Sequence, residues 1–374
     1  MVYLDNAATT RPSDAVCDTI GAVLRARFGN PSSLYDLGFE AQKELDAARG
    51  ALAGALGCDA AEVYFTGSGT EANNIAVLGA ARARKAWGGE VIATGYEHPS
   101  VENSLRQLER EGFRVTRVAP SADGGIDERE LVGCVTRHTS LVAMMLVNNE
   151  TGAMLPVERI AAQVRRINAR TAIHCDDVQG FMKHPLDVRA LDTVSVSAHK
   201  IHGPKGMGAL YVRRGLHVEN TLFGGLQERG LRPGTENVAY AAGFAEAVRG
   251  CPDMRAALAR ISALSARLRA KVSALPGAVL NSPAGASPYI LNFSLPGYKS
   301  ETMLRFLASR GVYVSSASAC GRGEKSRTLL AMGLPDERVD AALRVSFCAE
   351  SGEEDVDALC AGLEEALRTL AKTR

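Results

Sequence analysis

Two residues of the chain are nucleophiles in unusual settings. Lys200 lies in the run Ser195-Val-Ser-Ala-His-Lys-Ile-His-Gly-Pro-Lys-Gly206, where a strand pattern stops at a glycine-proline loop. Cys320 lies far downstream in Ser315-Ser-Ala-Ser-Ala-Cys-Gly-Arg-Gly323. An amine held at a strand end can condense with a carbonyl group, and a thiolate can attack sulfur and pass it on. These are the two nucleophiles that removing sulfur from an amino acid requires.

The neighbours of each residue matter as much as its type. A lysine that forms a Schiff base must be held in place with its pKa lowered; Ser197 and His199 could bond a phosphate, and the Gly203-Pro204 turn would fix the loop. Lys205 is the rival amine. A single lysine is usually a surface residue, so the weight rests on the whole Ser-x-His-Lys-x-x-Gly-Pro-Lys-Gly string. Around Cys320 the Ser, Ala and Gly content suits a loop that moves, and Arg322, Lys325 and Arg327 supply positive charge that favours a thiolate. An isolated cysteine is more often a buried inert side chain, the reading given to the other seven.

Two further stretches would serve such chemistry. Thr66-Gly-Ser-Gly-Thr-Glu-Ala-Asn-Asn74 follows a strand and opens a helix, so free backbone N–H groups at Gly69 and Thr70 could hold a phosphate without a lysine. A plain glycine turn with Thr70 as N-cap accounts for the same residues. His174-Cys-Asp-Asp-Val-Gln179 ends a buried-looking strand, where a carboxylate is costly unless paired. A protonated pyridine nitrogen would pair Asp176, and Gln179 could donate to a phenolic oxygen on the same ring. A solvated acidic loop is the competing explanation.

The elements that position these groups read as α/β. Strand patterns at 63–65, 91–94, 115–118, 141–147, 172–175, 193–196 and 209–212 alternate with segments of helical apolar spacing. That alternation predicts a mainly parallel seven-stranded sheet sandwiched by helices, with ligands at the carboxyl ends of its strands. From about Pro252 the texture changes to a long helix over 254–275, strands at 289–295, 312–315 and 343–347, a helix over 300–310 and a last helix from Glu353. The expected division is a large domain over 1–251, its first dozen or so residues packing with the other part, and a smaller α+β domain over 252–374 that carries the Cys320 loop.

Composition narrows the partners. The 374 residues are 46% hydrophobic and 23% charged with a net charge of +1, without a dense basic tract, so neither nucleic acid nor a membrane surface is an expected partner. No apolar run is long enough to span a bilayer, and the N-terminus carries no export pattern. The eight cysteines form no Cys-x-x-Cys pair, which argues against zinc ribbons and disulfide scaffolds. Reduced thiols in a cytoplasm and no bound metal are expected.

The string of motifs resembles the cysteine desulfurases, pyridoxal 5′-phosphate enzymes of fold type I within the class V aminotransferase-like group. The resemblance runs almost end to end: Tyr3-Leu-Asp-Asn-Ala-Ala-Thr-Thr10, Phe28-Gly-Asn-Pro-Ser-Ser33, Gly69-Thr-Glu-Ala-Asn-Asn74, Glu97-His98, Val147-Asn-Asn-Glu-Thr-Gly152, Asp176 with Gln179, the Lys200 string, Glu228-Arg-Gly-Leu-Arg-Pro-Gly-Thr235, the Cys320 loop and Leu343-Arg-Val-Ser-Phe347. It implies that Lys200 is the Schiff-base residue, that His98 stacks on the cofactor and helps move protons, and that Asn149 contacts cofactor and substrate. It implies that Gly69, Thr70, Ser197 and His199 hold the phosphate, helped by Thr235 from the other subunit of a homodimer. Arg344 would bind the substrate carboxylate, since its planar fork matches two oxygens.

The activity implied is conversion of L-cysteine to L-alanine with the sulfur left on Cys320 as a persulfide. The loop resembles the longer-loop branch, whose cysteine passes sulfur to an acceptor protein, a scaffold for iron–sulfur assembly or a tRNA-thiolation enzyme. A selenocysteine lyase or an aminotransferase would use the same cofactor site without a mobile thiol. A noncatalytic, partner-binding relative would be expected to lack Lys200 or Asp176.

Overall fold

The strand patterns condense into one large and two small sheets. The computed structural model describes residues 1–316 and 325–372. Its strands are β1 (Val2–Tyr3), β2 (Val63–Thr66), β3 (Glu90–Thr94), β4 (Arg114–Val118), β5 (Thr139–Met145), β6 (Ala172–Asp176), β7 (Thr193–Ser197), β8 (Gly208–Val212), β9 (Val279–Leu280), β10 (Ile290–Ser294), β11 (Val312–Tyr313), β12 (Ser315–Ser316) and β13 (Ala342–Ser346). The large sheet has seven strands in the order β2-β8-β7-β6-β5-β3-β4. Neighbours from β7 to β4 run parallel, whereas β8 is antiparallel to both β7 and β2.

Burial follows position in that sheet. Every residue of β5, β6, β7 and β8 is buried, because helices cover both faces and leave no solvated side for polar alternation. Edge strand β4 instead alternates, with Arg114 and Thr116 less covered than their neighbours, and Val118 buried. The register places Asp176 at the end of β6 beside Ser195 of β7, and Ser197 at the end of β7 beside Gly208 of β8. The candidate residues therefore emerge from one edge of one sheet.

Gly208 is needed for close approach. A Cβ there would stand 2.5 Å from the backbone carbon of Ser68 and 2.8 Å from the backbone nitrogen of Gly69. Only a residue without a side chain lets β8 pass directly under the turn that opens the Gly69–Arg82 helix.

The remaining strands form a four-stranded antiparallel sheet, β12-β13-β10-β9, and a parallel pair of β1 with β11. The strand expected over 312–315 is in fact two: β11 joins the N-terminal strand, and after Val314 the chain joins Arg344 and Leu343 of β13. Separate partners, at the N-terminus and in β13, divide the run between two sheets. We propose a division of the chain between Cys251 and Pro252, which falls between the Val238–Arg249 and Met254–Ser273 helices.

One buried ion pair ties the Glu228–Thr235 segment to the large sheet. Glu228 accepts from Arg49 NH1 at 2.7 Å and NH2 at 2.8 Å, and from the Phe65 backbone at 2.9 Å. The two side chains are 2% and 10% exposed, so neither charge has water as a substitute partner. Glu228→Ala is expected to lower stability by about 3–5 kcal/mol by stranding the Arg49 charge. Chemical denaturation of the two proteins measures it, and an unchanged midpoint would refute the pairing as a structural tie.

Candidate active site

A cleft of about 420 Å³ opens where β6, β7 and the start of the Gly69–Arg82 helix meet. Its lining includes Gly69, Thr70, His98, Asn149, Asp176, Gln179, Ser197, His199, Lys200 and Arg344. Residues spread over most of the chain thus share one site of the volume expected for a small-molecule ligand. Thr235 is exposed and lies outside the lining of its own chain's cleft. Cys320 lies outside the described residues.

One wall presents a helix N-terminus and a buried hydroxyl without a partner. The Gly69–Arg82 helix is capped by Ser68, whose side chain accepts from Glu71 N at 3.1 Å, so the cap is Ser68 and not Thr70. A hydroxyl one residue before the first helical turn reaches its free N–H groups, which Thr70 inside that turn cannot do. Thr70 is left exposed at the cleft. A Cβ on Gly69 would stand 2.7 Å from Val178 Cγ2 and 3.4 Å from Ser197 Cβ, so glycine keeps the helix start open beside Ser197. Ser197 Oγ is buried and has no hydrogen-bond partner. An orphan buried hydroxyl beside a helix N-terminus is the arrangement a phosphate would complete. His199 reaches Thr9 Oγ1 through Nδ1 at 3.1 Å, and burial together with Lys200 pulls its pKa down to about 4. It is a neutral imidazole at neutral pH.

The floor holds a carboxylate by a buried relay. Asp176 accepts from Asn73 Nδ2 at 2.7 Å and from the Val178 backbone at 3.0 Å. The same Asn73 amide nitrogen donates to Ser100 Oγ at 2.9 Å, while Asn73 Oδ1 accepts from His174 Nε2 at 3.0 Å and from the Ser195 hydroxyl. His174 Nδ1 meets Thr193 Oγ1 at 2.9 Å. Burial pulls His174 down to about 4, so the ring is neutral and its single N–H is committed to Asn73. This chain fixes which way the Asn73 amide points, and hence which side of Asp176 it occupies. Asn73, His174 and Ser195 received no role from the sequence. Their signal was polar side chains in segments otherwise buried, which a packed core tolerates only when bonded.

Lys200 crosses the cleft. Its Nζ donates to the backbone carbonyls of Ala7 at 2.5 Å and Ala8 at 2.8 Å. Burial first, then the charges of Arg344 and Lys183, lower its pKa to about 7. Lys205 is exposed, which removes the rival amine. Gln179 also reaches the N-terminal segment, donating to Ala7 O at 2.9 Å. His98 caps the Pro99–Arg110 helix, with Nδ1 accepting from Ser100 N at 3.2 Å, and burial lowers its pKa. Beside it, burial pushes Glu97 up to about 8, leaving a neutral carboxyl that accepts from Met145 N at 3.0 Å.

Arg344 forms the opposite rim. It is 2% exposed and donates through NH1 to Asn149 O at 2.9 Å and through NH2 to Asp5 Oδ1 at 2.7 Å. Its Nε has no partner. A buried guanidinium lining a cleft with one donor unpartnered is suited to a carboxylate ligand. The positive charge assigned to the Cys320 surroundings is partly engaged elsewhere: Lys325 sits 2.7 Å from Asp336, and Arg327 sits 3.2 Å from Glu102. Glu150 holds the same segment, accepting from Thr328 Oγ1 at 2.9 Å and from the Ser326 hydroxyl.

Comparisons with known proteins agree with this geometry. The family model described as aminotransferase class V matches residues 2–359. A protein of Clostridium botulinum named cysteine desulfurase IscS is 36% identical, over 95% of this chain and 91% of its own length. A solved structure described as a NifS-like protein superposes with a TM-score of 0.92 at 35% identity, covering 99% of this chain and 100% of that one. Another, described as SspA in complex with cysteine, gives a TM-score of 0.82 at 30% identity over 93% and 99% of the two chains.

The lowered basicity of Lys200 has a direct pH consequence. Its pKa of about 7 lies below the ordinary lysine value, so the neutral, nucleophilic amine dominates above pH 7 and falls about tenfold for each unit below it. Trapping of an aldehyde on the cofactor-free protein by borohydride, read by peptide mass spectrometry, should therefore be fast at Lys200 at pH 8 and slow at pH 6. Equal modification of Lys200 and Lys205 at both pH values would contradict the assignment.

Proposed function

The chain belongs to the class V aminotransferase family and, within it, to the cysteine desulfurases, and from that premise we propose how its own residues take sulfur from L-cysteine. The observation that carries the reading is convergence: the weakly basic amine of Lys200, the orphan hydroxyl of Ser197, the braced carboxylate of Asp176 and the open Nε of Arg344 meet at one cleft.

The residues present fit pyridoxal 5′-phosphate. Gly69, Thr70, Ser197 and His199 would take the phosphate, completing the hydroxyl that otherwise lacks a partner. Asp176 would face the ring nitrogen, His98 the ring, and Gln179 and Asn149 its polar edge. When bound, the cofactor supplies an aldehyde for Lys200 and a cationic ring that draws off the charge left at Cα.

Arg344 then orients the substrate through its carboxylate. Lys200 would be the base that removes the Cα proton, and its low pKa keeps it free to do so at neutral pH. His98 assists in moving protons. The Cys320 thiolate attacks the substrate sulfur and the C–S bond breaks; the carbon side keeps the electron pair, is reprotonated and leaves as L-alanine. Sulfur remains on Cys320 as a persulfide and passes to an acceptor protein, a scaffold or a tRNA-thiolation enzyme, in the cytoplasm. Among the described residues no helix is long and apolar enough to cross a membrane.

A homodimer completes the site in this reading. Phe28, Leu34, Tyr35, Phe39, Phe223 and Leu226 are exposed large apolar side chains, Leu34 fully so and Phe223 88% exposed. Exposed apolar side chains of this size suit a partner surface, and Phe223 and Leu226 lead into the segment that ends at Thr235.

Lys200→Ala protein is expected to lose the visible absorption that the cofactor gains on joining a lysine, and to form no alanine. Cys320→Ser should keep that absorption and lose persulfide formation by at least about a hundredfold. Keto acid in place of alanine, or persulfide at the normal rate without Cys320, would overturn the reading. Phe223→Asp should shift sedimentation from dimer to monomer and weaken cofactor retention, because Thr235 is then no longer delivered; an unchanged dimer would remove that surface from the interface.

A further inference from the structure

Beyond the cleft, three side chains remote in sequence meet in space. His202 lies two residues after Lys200, while Cys348 and Glu350 follow the end of β13. One nitrogen of His202, the sulfur of Cys348 and one carboxylate oxygen of Glu350 all lie within 4.8 Å of one another. His202 Nε2 is 3.2 Å from Glu350 Oε2. From this geometry we propose that His202, Cys348 and Glu350 form a three-ligand site for a thiophilic divalent cation, with zinc the ion its donors fit best.

The imidazole is already oriented for the task. His202 Nδ1 lies 2.9 Å from the carbonyl oxygen of Arg11, an acceptor, so Nδ1 donates there and Nε2 faces the thiol and carboxylate. Histidines that bind metals are commonly held this way through the other nitrogen. The loop is pinned on its other side as well, since the His202 backbone N–H donates to Thr10 Oγ1 at 2.7 Å. The Cys348 backbone N–H donates to Ser351 Oγ at 3.0 Å, which sets the turn from which the thiol projects.

The spacing and charge agree with zinc. Tetrahedral coordination with Zn–N of about 2.0–2.1 Å and Zn–S of about 2.3 Å places neighbouring donors roughly 3.3–3.6 Å apart. The nitrogen–oxygen pair, at 3.2 Å, is within about 0.1 Å of that range. With every donor pair within 4.8 Å, closing the sulfur distances requires at most a little over an ångström of movement, and Glu350 is exposed. Without the ion, Cys348 and Glu350 hold a proton on His202; once zinc displaces it, a thiolate, a carboxylate and a neutral imidazole carry two negative charges, matching a divalent ion, and a fourth position stays open to water. An imidazole–carboxylate ion pair would account for Glu350, and the Cys348 thiol meets Ser351 Oγ at 3.6 Å, but neither explains nitrogen, sulfur and oxygen donors gathered within 4.8 Å of one another. The ion would link the loop that carries Lys200 to the turn that follows the strand of Arg344.

Cofactor-loaded Cys320→Ser protein, in which the loop thiol cannot compete, tests the site by titration with zinc against a chromophoric chelator. One equivalent of zinc is expected to bind. Cys348→Ala and Glu350→Gln, each added to that background, should weaken binding at least about tenfold while cofactor absorption and the unfolding midpoint show the fold intact. Cobalt in place of zinc should give intense tetrahedral d–d bands and a thiolate charge-transfer band that vanishes in Cys348→Ala. No stoichiometric zinc, or zinc affinity and a cobalt–thiolate band unaltered by Cys348→Ala, would overturn the proposal.

Discussion

A lysine amine deprived of water is the constraint around which the rest is arranged. An ammonium group is stable in solvent, and removing that solvent penalises its charged form. Lys200 is pushed in that direction by burial and then by the Arg344 and Lys183 charges, while the Asp5 and Asp176 carboxylates push back. The outcome, a pKa of about 7, needs all of these groups near one atom. A strand end supplies Lys200, the C-terminal sheet supplies Arg344, and the N-terminal segment supplies Asp5 and the carbonyls that hold the amine. The fold is therefore closed around the lysine from three distant parts of the chain.

The N-terminal residues are the least expected part of that closure. They form a two-residue strand against β11, and Asn6 donates to Ser346 O at 3.0 Å while the Ala7 backbone donates to Ser346 Oγ at 2.8 Å. Threaded this way, the segment lies between β13 and the Lys200 loop. Chain ends are usually loose unless tied down; this one is tied by strand pairing and by side chains at once. A floor relay and a threaded terminus answer the same demand, since each buried polar group must find a partner that does not move.

The large sheet was legible because its signal is local. Seven apolar runs became seven strands with ends moved by a residue or two, and Lys200, Asp176 and Gly69 were legible from strings that combine a strand end with glycine or an acid. What the sequence did not reveal depends on contacts between remote positions. Asp5 and Arg344, bonded at 2.7 Å, are 339 residues apart, and no periodicity announces such a pair. His174 and Asn73 sit 101 residues apart and look, in sequence, like polar interruptions of apolar elements. The split of 312–315 had the same origin, since a β-run does not state which of two sheets it will join. The Thr70 cap reading failed for a local reason, as Ser68 stands one place better for the free N–H groups.

Arg344 and Lys200 are coupled by charge as well as by shared ligands. The guanidinium is among the groups that hold the lysine's basicity down, and its buried Nε has no hydrogen-bond partner. A substrate carboxylate arriving at that donor brings a negative charge to the guanidinium and offsets its field at the lysine. Before substrate arrives, a low pKa keeps the amine neutral and nucleophilic. Under the proposed function, a carboxylate seated there would shift the amine's pKa back toward the ordinary lysine value. Guanidinium and amine are thus coupled, because one cleft places both charges within each other's reach.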